Sequence, residues 1–263
     1  MEDRLSVTEA LVLGLVQGLT EFLPVSSSGH LAVIQHLWKL PAESRLPLTV
    51  MLHGATALAV VFYFAPLLAR LVRGLWASDP ARRSSSWRMA GFIAVASIPA
   101  GLIGVMFSDL IDRAFSSPLL VGLMLLVTGT VLFGTGSSQP RGRTGWVRTL
   151  LVGVAQVIAI LPGVSRSGAT IASGLYLGME RKEAFEFSFL LAVPAIVGAF
   201  LLEVRKLDLA MLNPQALAVG MLAAFLSGLA ALYLLARAVT GRKLHWFAFY
   251  CWLAGLATIV FVR

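Results

Sequence analysis

The sequence predicts an all-α integral membrane protein: six full transmembrane helices plus two re-entrant broken-helix pairs in an inverted-topology repeat. Three observations lead there. First, 58% of the 263 residues are hydrophobic and only 13% are charged. The mean hydropathy is +0.84, well outside soluble averages. Apolar runs near twenty residues recur, the length an α-helix needs to cross roughly 30 Å of hydrocarbon. Second, two polar stretches broken by glycine and proline, 17–30 and 162–170, interrupt apolar sequence. Third, the two stretches echo each other at a constant offset: Gly14, Gln17, Val25, Ser26, Ser28 and Gly29 match Gly153, Gln156, Val164, Ser165, Ser167 and Gly168.

In chain order, Ser6 and Glu9 form a capping-box pattern that opens a helix running to about Leu23, where Pro24 stops it. An apolar helix resumes from about Ser28 to Trp38. Neither piece spans alone, and a broken helix at membrane depth is tolerated only where it is buried in protein or lines a cavity. Leu48 to Phe64 is a full span, followed by a connection with Arg70, Arg73, Arg82, Arg83 and Arg88 against Asp79, which the positive-inside rule assigns to the cytoplasm. Met89 to Phe107 crosses back to a short outer link with Asp109, Asp112 and Arg113. Ser117-Pro118 is a cap and first-turn proline opening a span to about Gly134. Arg141, Arg143 and Arg148 return the chain to the cytoplasm.

Leu150 to Leu161 and Gly168 to Leu177 form the second broken pair. Phe185 to Leu202 spans, Asn213-Pro214 caps a span to about Ala236, Arg237, Arg242 and Lys243 mark a cytoplasmic turn, and Trp246 to Val262 is the sixth span. Trp38, Trp76, Trp87, Trp146 and Trp246 fall near segment ends, as an interfacial belt requires. The chain is read as one membrane domain, 1–263, with repeat one at about 6–136 and repeat two at about 147–263. Each broken pair precedes three spans. Three is odd, so the second repeat is inverted, and the two elbows meet near the midplane as in inverted-repeat membrane proteins.

The net charge of +8 does not indicate nucleic acid, because Lys and Arg sit in short connections rather than along one face. Cys251, the single cysteine, offers neither a disulfide nor a thiolate metal site and reads as packing. The N-terminal segment, with Gln17 and Glu21 inside it and no basic start, is expected to be retained rather than cleaved as a signal peptide. No Walker-type loop and no His-Glu-x-x-His pattern is present.

Candidate chemistry concentrates in the elbows. Gln17 and Glu21 share a helical face. An ionised glutamate at that depth costs roughly 2.5–3.5 kcal/mol even on lenient insertion scales, so it calls for a partner, an ion or a proton; a protonated glutamate hydrogen-bonded for packing is the alternative. Ser26, Ser27, Ser28 and Gly29 open the second half-helix, where backbone N–H groups and the dipole favour an anion, although serines also serve as plain caps. Ser27 and His30, three apart, are a nucleophile and base or a pair of phosphate ligands. The second elbow adds Ser165, Ser167 and Thr170 as donors and Arg166 as a buried cation suited to bidentate phosphate binding, or to a structural pair with Glu21. His53 is read as supporting the site or as packing. Any metal would be a hard cation, Mg²⁺ or Ca²⁺, held by Glu21 and substrate oxygens.

The pairing of Gln-Gly-Leu-Thr-Glu-Phe-Leu-Pro-Val-Ser-Ser-Ser-Gly-His with Pro-Gly-Val-Ser-Arg-Ser-Gly-Ala-Thr resembles the undecaprenyl-diphosphate phosphatase family of the bacitracin-resistance type, over nearly the whole chain. The resemblance implies hydrolysis of undecaprenyl diphosphate to the monophosphate, recycling the lipid carrier of cell-wall synthesis in the bacterial cytoplasmic membrane. It implies Glu21 as metal ligand or acid–base group, Ser27 and His30 as nucleophile and proton-transfer partner, Arg166 as phosphate clamp, and a divalent cation. Gln17 departs from the family's usual Glu-x-x-x-Glu and leaves one carboxylate instead of two. The expected partners are the polyprenyl diphosphate and membrane lipids; a homodimer is compatible with the chain. The competing reading is an inverted-repeat transporter or flippase for an anionic lipid or solute.

Overall fold

The computed structural model describes residues 5–40, 42–107, 114, 117–140, 142, 144–207 and 212–261. Among them every regular element is helical: α1 (Val7–Phe22), α2 (Ser27–Leu37), α3 (Ala42–Tyr63), α4 (Ala65–Leu75), α5 (Pro80–Met106), α6 (Pro118–Phe133), α7 (Trp146–Ile158), α8 (Arg166–Tyr176), α9 (Arg181–Glu203), α10 (Pro214–Thr240) and α11 (Phe247–Phe261). Among the described residues six segments are long and apolar enough to cross a membrane: Ser44–Tyr63, Pro80–Gly104, Pro118–Ser137, Arg181–Glu203, Pro214–Thr240 and Leu244–Phe261. The protein is therefore a multi-pass membrane protein. The outward faces of these helices carry exposed Leu58, Leu102, Leu123, Leu222 and Leu253, side chains suited to hydrocarbon rather than water. Helices α1, α2, α7 and α8 have 16, 11, 13 and 11 residues, too short to span.

The caps explain where the helices start. Ser6 and Glu9 form the reciprocal capping box, with the Glu9 amide donating to Ser6 Oγ at 3.1 Å and the Ser6 amide donating to Glu9 Oε2 at 2.8 Å. Asp79, Ser117 and Asn213 cap α5, α6 and α10 through side-chain oxygens, each with proline immediately after. Two starts come earlier than the apolar pattern indicates. Helix α3 begins at Ala42 rather than Leu48, because Pro47 falls within its first two turns and removes a single hydrogen bond there. Helix α5 begins at Pro80 rather than Met89, so Arg82, Arg83 and Arg88, expected in a connection, sit on its exposed first turns. The rest of that connection folds as α4, which carries Arg70 and Arg73. The expected outer link with Asp109, Asp112 and Arg113, and Arg141 and Arg143, lie outside the described residues.

Two close crossings hold the short helices inside the bundle. Helix α1 packs along α10 and α7 along α5. A Cβ at Gly14 would run into the carbonyl of Gly220, and one at Gly153 into the carbonyl of Ala96. Small residues thus let the backbones meet where lipid offers no hydrophobic drive between helices. A ring cluster of Phe22, Phe64, Phe185 and Phe189, centroids 5.0–5.8 Å apart, anchors the end of α1 between α3 and α9.

Gly163 is the most constrained elbow residue. Its φ is +91°, and a Cβ there would collide with the carbonyl oxygen of Val121 on α6. Gly163→Ala combines a left-handed penalty of about 1–2 kcal/mol with that clash. It is expected to lower the Tm of the detergent-solubilised protein measurably; an unchanged Tm would show that α6 yields to the added methyl.

Candidate functional site

Helix α1 ends at Phe22, the chain turns through Pro24, and α2 begins at Ser27, bringing Ser27 back beneath the last turn of α1. The centre is Glu21, whose side chain is only 2% exposed. Its Oε2 accepts from Ser27 Oγ at 2.5 Å and from Gln17 Nε2 at 3.2 Å, and lies 3.5 Å from His53 Nε2. Its Oε1 accepts from Arg166 Nη2 at 2.5 Å. Gln17 Nε2 also reaches Thr56 Oγ1 on α3 at 3.5 Å, while Gln17 Oε1 is buried without a hydrogen-bond partner among the described residues.

The second elbow delivers Arg166 at the first position of α8. Ser165 caps that helix, its Oγ accepting from the Gly168 amide at 3.1 Å, and it pairs with Ser167 Oγ at 3.2 Å. Thr128 on α6 ties the elbow down: its hydroxyl accepts from the Ser165 amide at 3.3 Å and donates to the Gly163 carbonyl at 3.1 Å. Thr170 donates to the Arg166 carbonyl at 2.8 Å and pairs with Ser188 on α9, so it braces α8 rather than standing free for a ligand. The two elbows touch, Pro24 lying beside Gly168 and Gly163 beside Gly29.

One carboxylate and one guanidinium leave the centre electrically balanced, and the N-termini of α2 and α8 add partial positive charge. Arg166 spends one N–H on Glu21. Among the described residues its other guanidinium donors have no hydrogen-bond partner, and its side chain is 28% exposed. A cavity of about 600 Å³ is lined among others by Ser28, His36, Arg45, Thr49 and His53, and of these His53 reaches the centre, its Nε2 3.5 Å from Glu21 Oε2. Preorganised donors beside a partly exposed guanidinium are the arrangement that stabilises charge on phosphate oxygens.

The model of the family described as bacitracin resistance protein BacA matches residues 10–257. The chain belongs to the BacA family. It is similar to proteins named undecaprenyl-diphosphatase from Desulfatibacillum aliphaticivorans (42% identical, covering 96% of this chain and 97% of the relative), Alkaliphilus metalliredigens (40%, covering 96% and 98%) and Thermotoga petrophila (39%, covering 92% and 94%).

Of the residues singled out from the sequence, this BacA-family chain gathers Gln17, Glu21, Ser27, His53 and Arg166 around one carboxylate. Ser165 and Ser167 lie at the start of α8 beside Arg166. Ser26 and Ser28 pair with each other at 3.3 Å, and Gly29 packs against Val121. His30 departs from the expected pairing with Ser27: its Nδ1 lies 2.8 Å from the Ser26 carbonyl and its Nε2 2.6 Å from Tyr250 Oη on α11. Both ring nitrogens are engaged, and Ser27 bonds to Glu21 instead. Thr56, Thr128 and Tyr250 escaped the sequence reading. Each lies inside an apolar span, with no local signal that it meets an elbow far away in the chain.

Proposed function

We propose that the chain hydrolyses undecaprenyl diphosphate to undecaprenyl phosphate and inorganic phosphate, using Glu21, Ser27 and Arg166. The observation that carries the catalytic assignment is the Ser27 hydroxyl, 2.5 Å from a buried carboxylate whose other oxygen is held by an arginine with donors to spare. The hydrolase names of the relatives support the same activity, and none of the relatives cited above is named as a transporter. The product is the lipid carrier returned for another round of cell-wall synthesis. A bacterial cytoplasmic membrane is the setting this requires.

In this reading Ser27 Oγ attacks the terminal phosphorus while its proton passes to Glu21 Oε2. The Oγ–P bond forms, the bond from that phosphorus to the bridging oxygen breaks, and undecaprenyl phosphate leaves with the electron pair, taking the proton from Glu21. Water then gives a proton to Glu21 and bonds to phosphorus. The Oγ–P bond breaks, Ser27 recovers its proton from Glu21, and inorganic phosphate departs. The Arg166 N–H groups not bonded to Glu21 and the N-termini of α2 and α8 hold the non-bridging oxygens through both steps. Ser26, Ser28, Gly29, Ser165 and Ser167 supply amides and hydroxyls around them.

A divalent cation fits the oxygen donors present. Among the described residues buried Gln17 Oε1 lacks a partner, one turn from Glu21, and is a hard oxygen donor of the kind Mg²⁺ or Ca²⁺ accepts. No cluster of three or more His, Cys, Asp or Glu residues gathers among the described residues, so Glu21 and Gln17 would hold the ion together with substrate oxygens. When bound, it would neutralise charge on the diphosphate.

The inverted repeat is part of this proposal, with halves at about 6–136 and 147–263. Its support is paired geometry. Gly14 and Gly153 make equivalent crossings, on α10 and α5. The carbonyls of Pro24 and Gly163, matching positions in the two elbows, each accept from a side chain of a span: Cys251 Sγ at 3.3 Å and Thr128 Oγ1 at 3.1 Å. The pairing places Glu21 of one half against Arg166 of the other.

The test is phosphate release from undecaprenyl diphosphate by purified protein in detergent, with Mg²⁺ or Ca²⁺ and then with chelator. Turnover that chelation lowers at least about ten-fold is expected, since a cation stabilises several kcal/mol of transition-state charge. Turnover indifferent to chelation would remove the cation and leave the charge to Arg166 and the helix termini. No turnover by folded protein would sink the hydrolase reading.

A further inference from the structure

We propose that Tyr250 is a positioning residue: its phenol fixes the tautomer of His30, and His30 in turn braces the strained Ser26 so that Ser27 stays against Glu21. The proposal rests on the hydrolytic reading of the site for its effect on rate, and on geometry alone for the Tyr250–His30–Ser26 chain.

A carbonyl oxygen only accepts, so His30 Nδ1, 2.8 Å from the Ser26 carbonyl, carries the ring proton. The neutral ring then has its lone pair on Nε2, and Tyr250, with its hydroxyl 2.6 Å away, is the donor that satisfies it. The two rings are also stacked, centroids 5.6 Å apart and 12° from parallel. This explains why His30 is not the partner of Ser27: neither nitrogen is left for it.

Ser26 needs such a brace. Its φ and ψ are 68° and 93°, a region a non-glycine residue occupies only under constraint, and its side chain makes no cap. At the matching position Ser165 is relaxed, with φ −78° and ψ 121°, and caps its helix. The first turn of α11 grips the chain on both sides of Ser26, Cys251 Sγ donating to the Pro24 carbonyl at 3.3 Å and Tyr250 acting through His30. In the other elbow the corresponding span ties the chain through Thr128, which holds the Gly163 carbonyl and the Ser165 amide. There the residue before Thr128 is Val127, and the position matching His30 is Ala169, so the aromatic brace exists only in the half that carries Ser27 and Glu21.

Tyr250→Phe keeps the ring and its stack and removes only the hydroxyl, which suits it as the probe. The expected result is a fall in kcat of about ten-fold, the worth of one neutral hydrogen bond, with KM within about two-fold. The ¹⁵N signals of His30, assigned against His30→Gln in ¹⁵N-histidine-labelled protein, should move from a fixed Nδ1–H tautomer toward a mixture. Wild-type kcat, or unmoved His30 signals, would overturn the proposal. If wild-type protein releases no phosphate, the hydrolase reading fails, and the ¹⁵N signals still decide whether Tyr250 sets His30.

Discussion

Glu21→Gln is expected to lower kcat for phosphate release by about two to four orders of magnitude, the usual worth of a positioned general base, with KM changing far less. Glutamine fills nearly the same volume, so the packing around position 21 survives. What changes is acceptor count. The carboxylate takes Ser27 and Gln17 on Oε2 and Arg166 on Oε1. An amide turns one of those oxygens into a donor that faces another donor, and it cannot take the Ser27 proton. Arg166 also loses its counter-charge at membrane depth. Steady-state phosphate release beside a Tm measurement separates chemistry from folding. Retention of more than about a tenth of wild-type kcat would remove Glu21 as the base and return that role to His30 or to water.

Arg166→Ala is expected to reduce kcat/KM by at least about two orders of magnitude, corresponding to about 2.7 kcal/mol of lost transition-state stabilisation. The guanidinium bonds Glu21 with one N–H while its others have no hydrogen-bond partner among the described residues, which lets it orient the base and hold phosphate together. Arg166→Lys should rescue little, because a single ammonium lacks the planar fork. A drop in Tm with kcat/KM unchanged would make the Arg166–Glu21 contact a structural ion pair between the halves and nothing more.

Much of this was legible in one dimension because membranes impose simple rules. Hydrocarbon thickness sets the length of a span, and six segments meet it. Ser6, Ser117 and Asn213 announce their helices because unsatisfied N–H groups at a helix start need a local oxygen. Polar runs at Gln17–His30 and Pro162–Thr170 stood out because polar groups are costly there. Boundaries were less legible where the chain leaves hydrocarbon. Helix α4 sets Arg70 and Arg73 among its leucines, and the start of α5 is built of arginine, alanine and serine, so hydropathy sees a connection while Asp79 and Pro80 start a helix.

The sequence by itself determined which residues are gathered at the elbows, that the chain crosses a membrane, and which family motifs it carries, since spacing along a helix and transfer from water are local quantities. Only the tertiary structure decided who touches whom. Ser27 and His30 sit three apart, yet the turn at Pro24 carries Ser27 to Glu21, and the start of α11 draws His30 to Tyr250. Glu21 and Arg166 come from opposite halves of the chain. Partners of that kind are chosen by the close packing of helices far apart in sequence, here α1 on α10, α7 on α5 and α6 on α11, and no one-dimensional pattern records which polar atoms that packing leaves within hydrogen-bond reach.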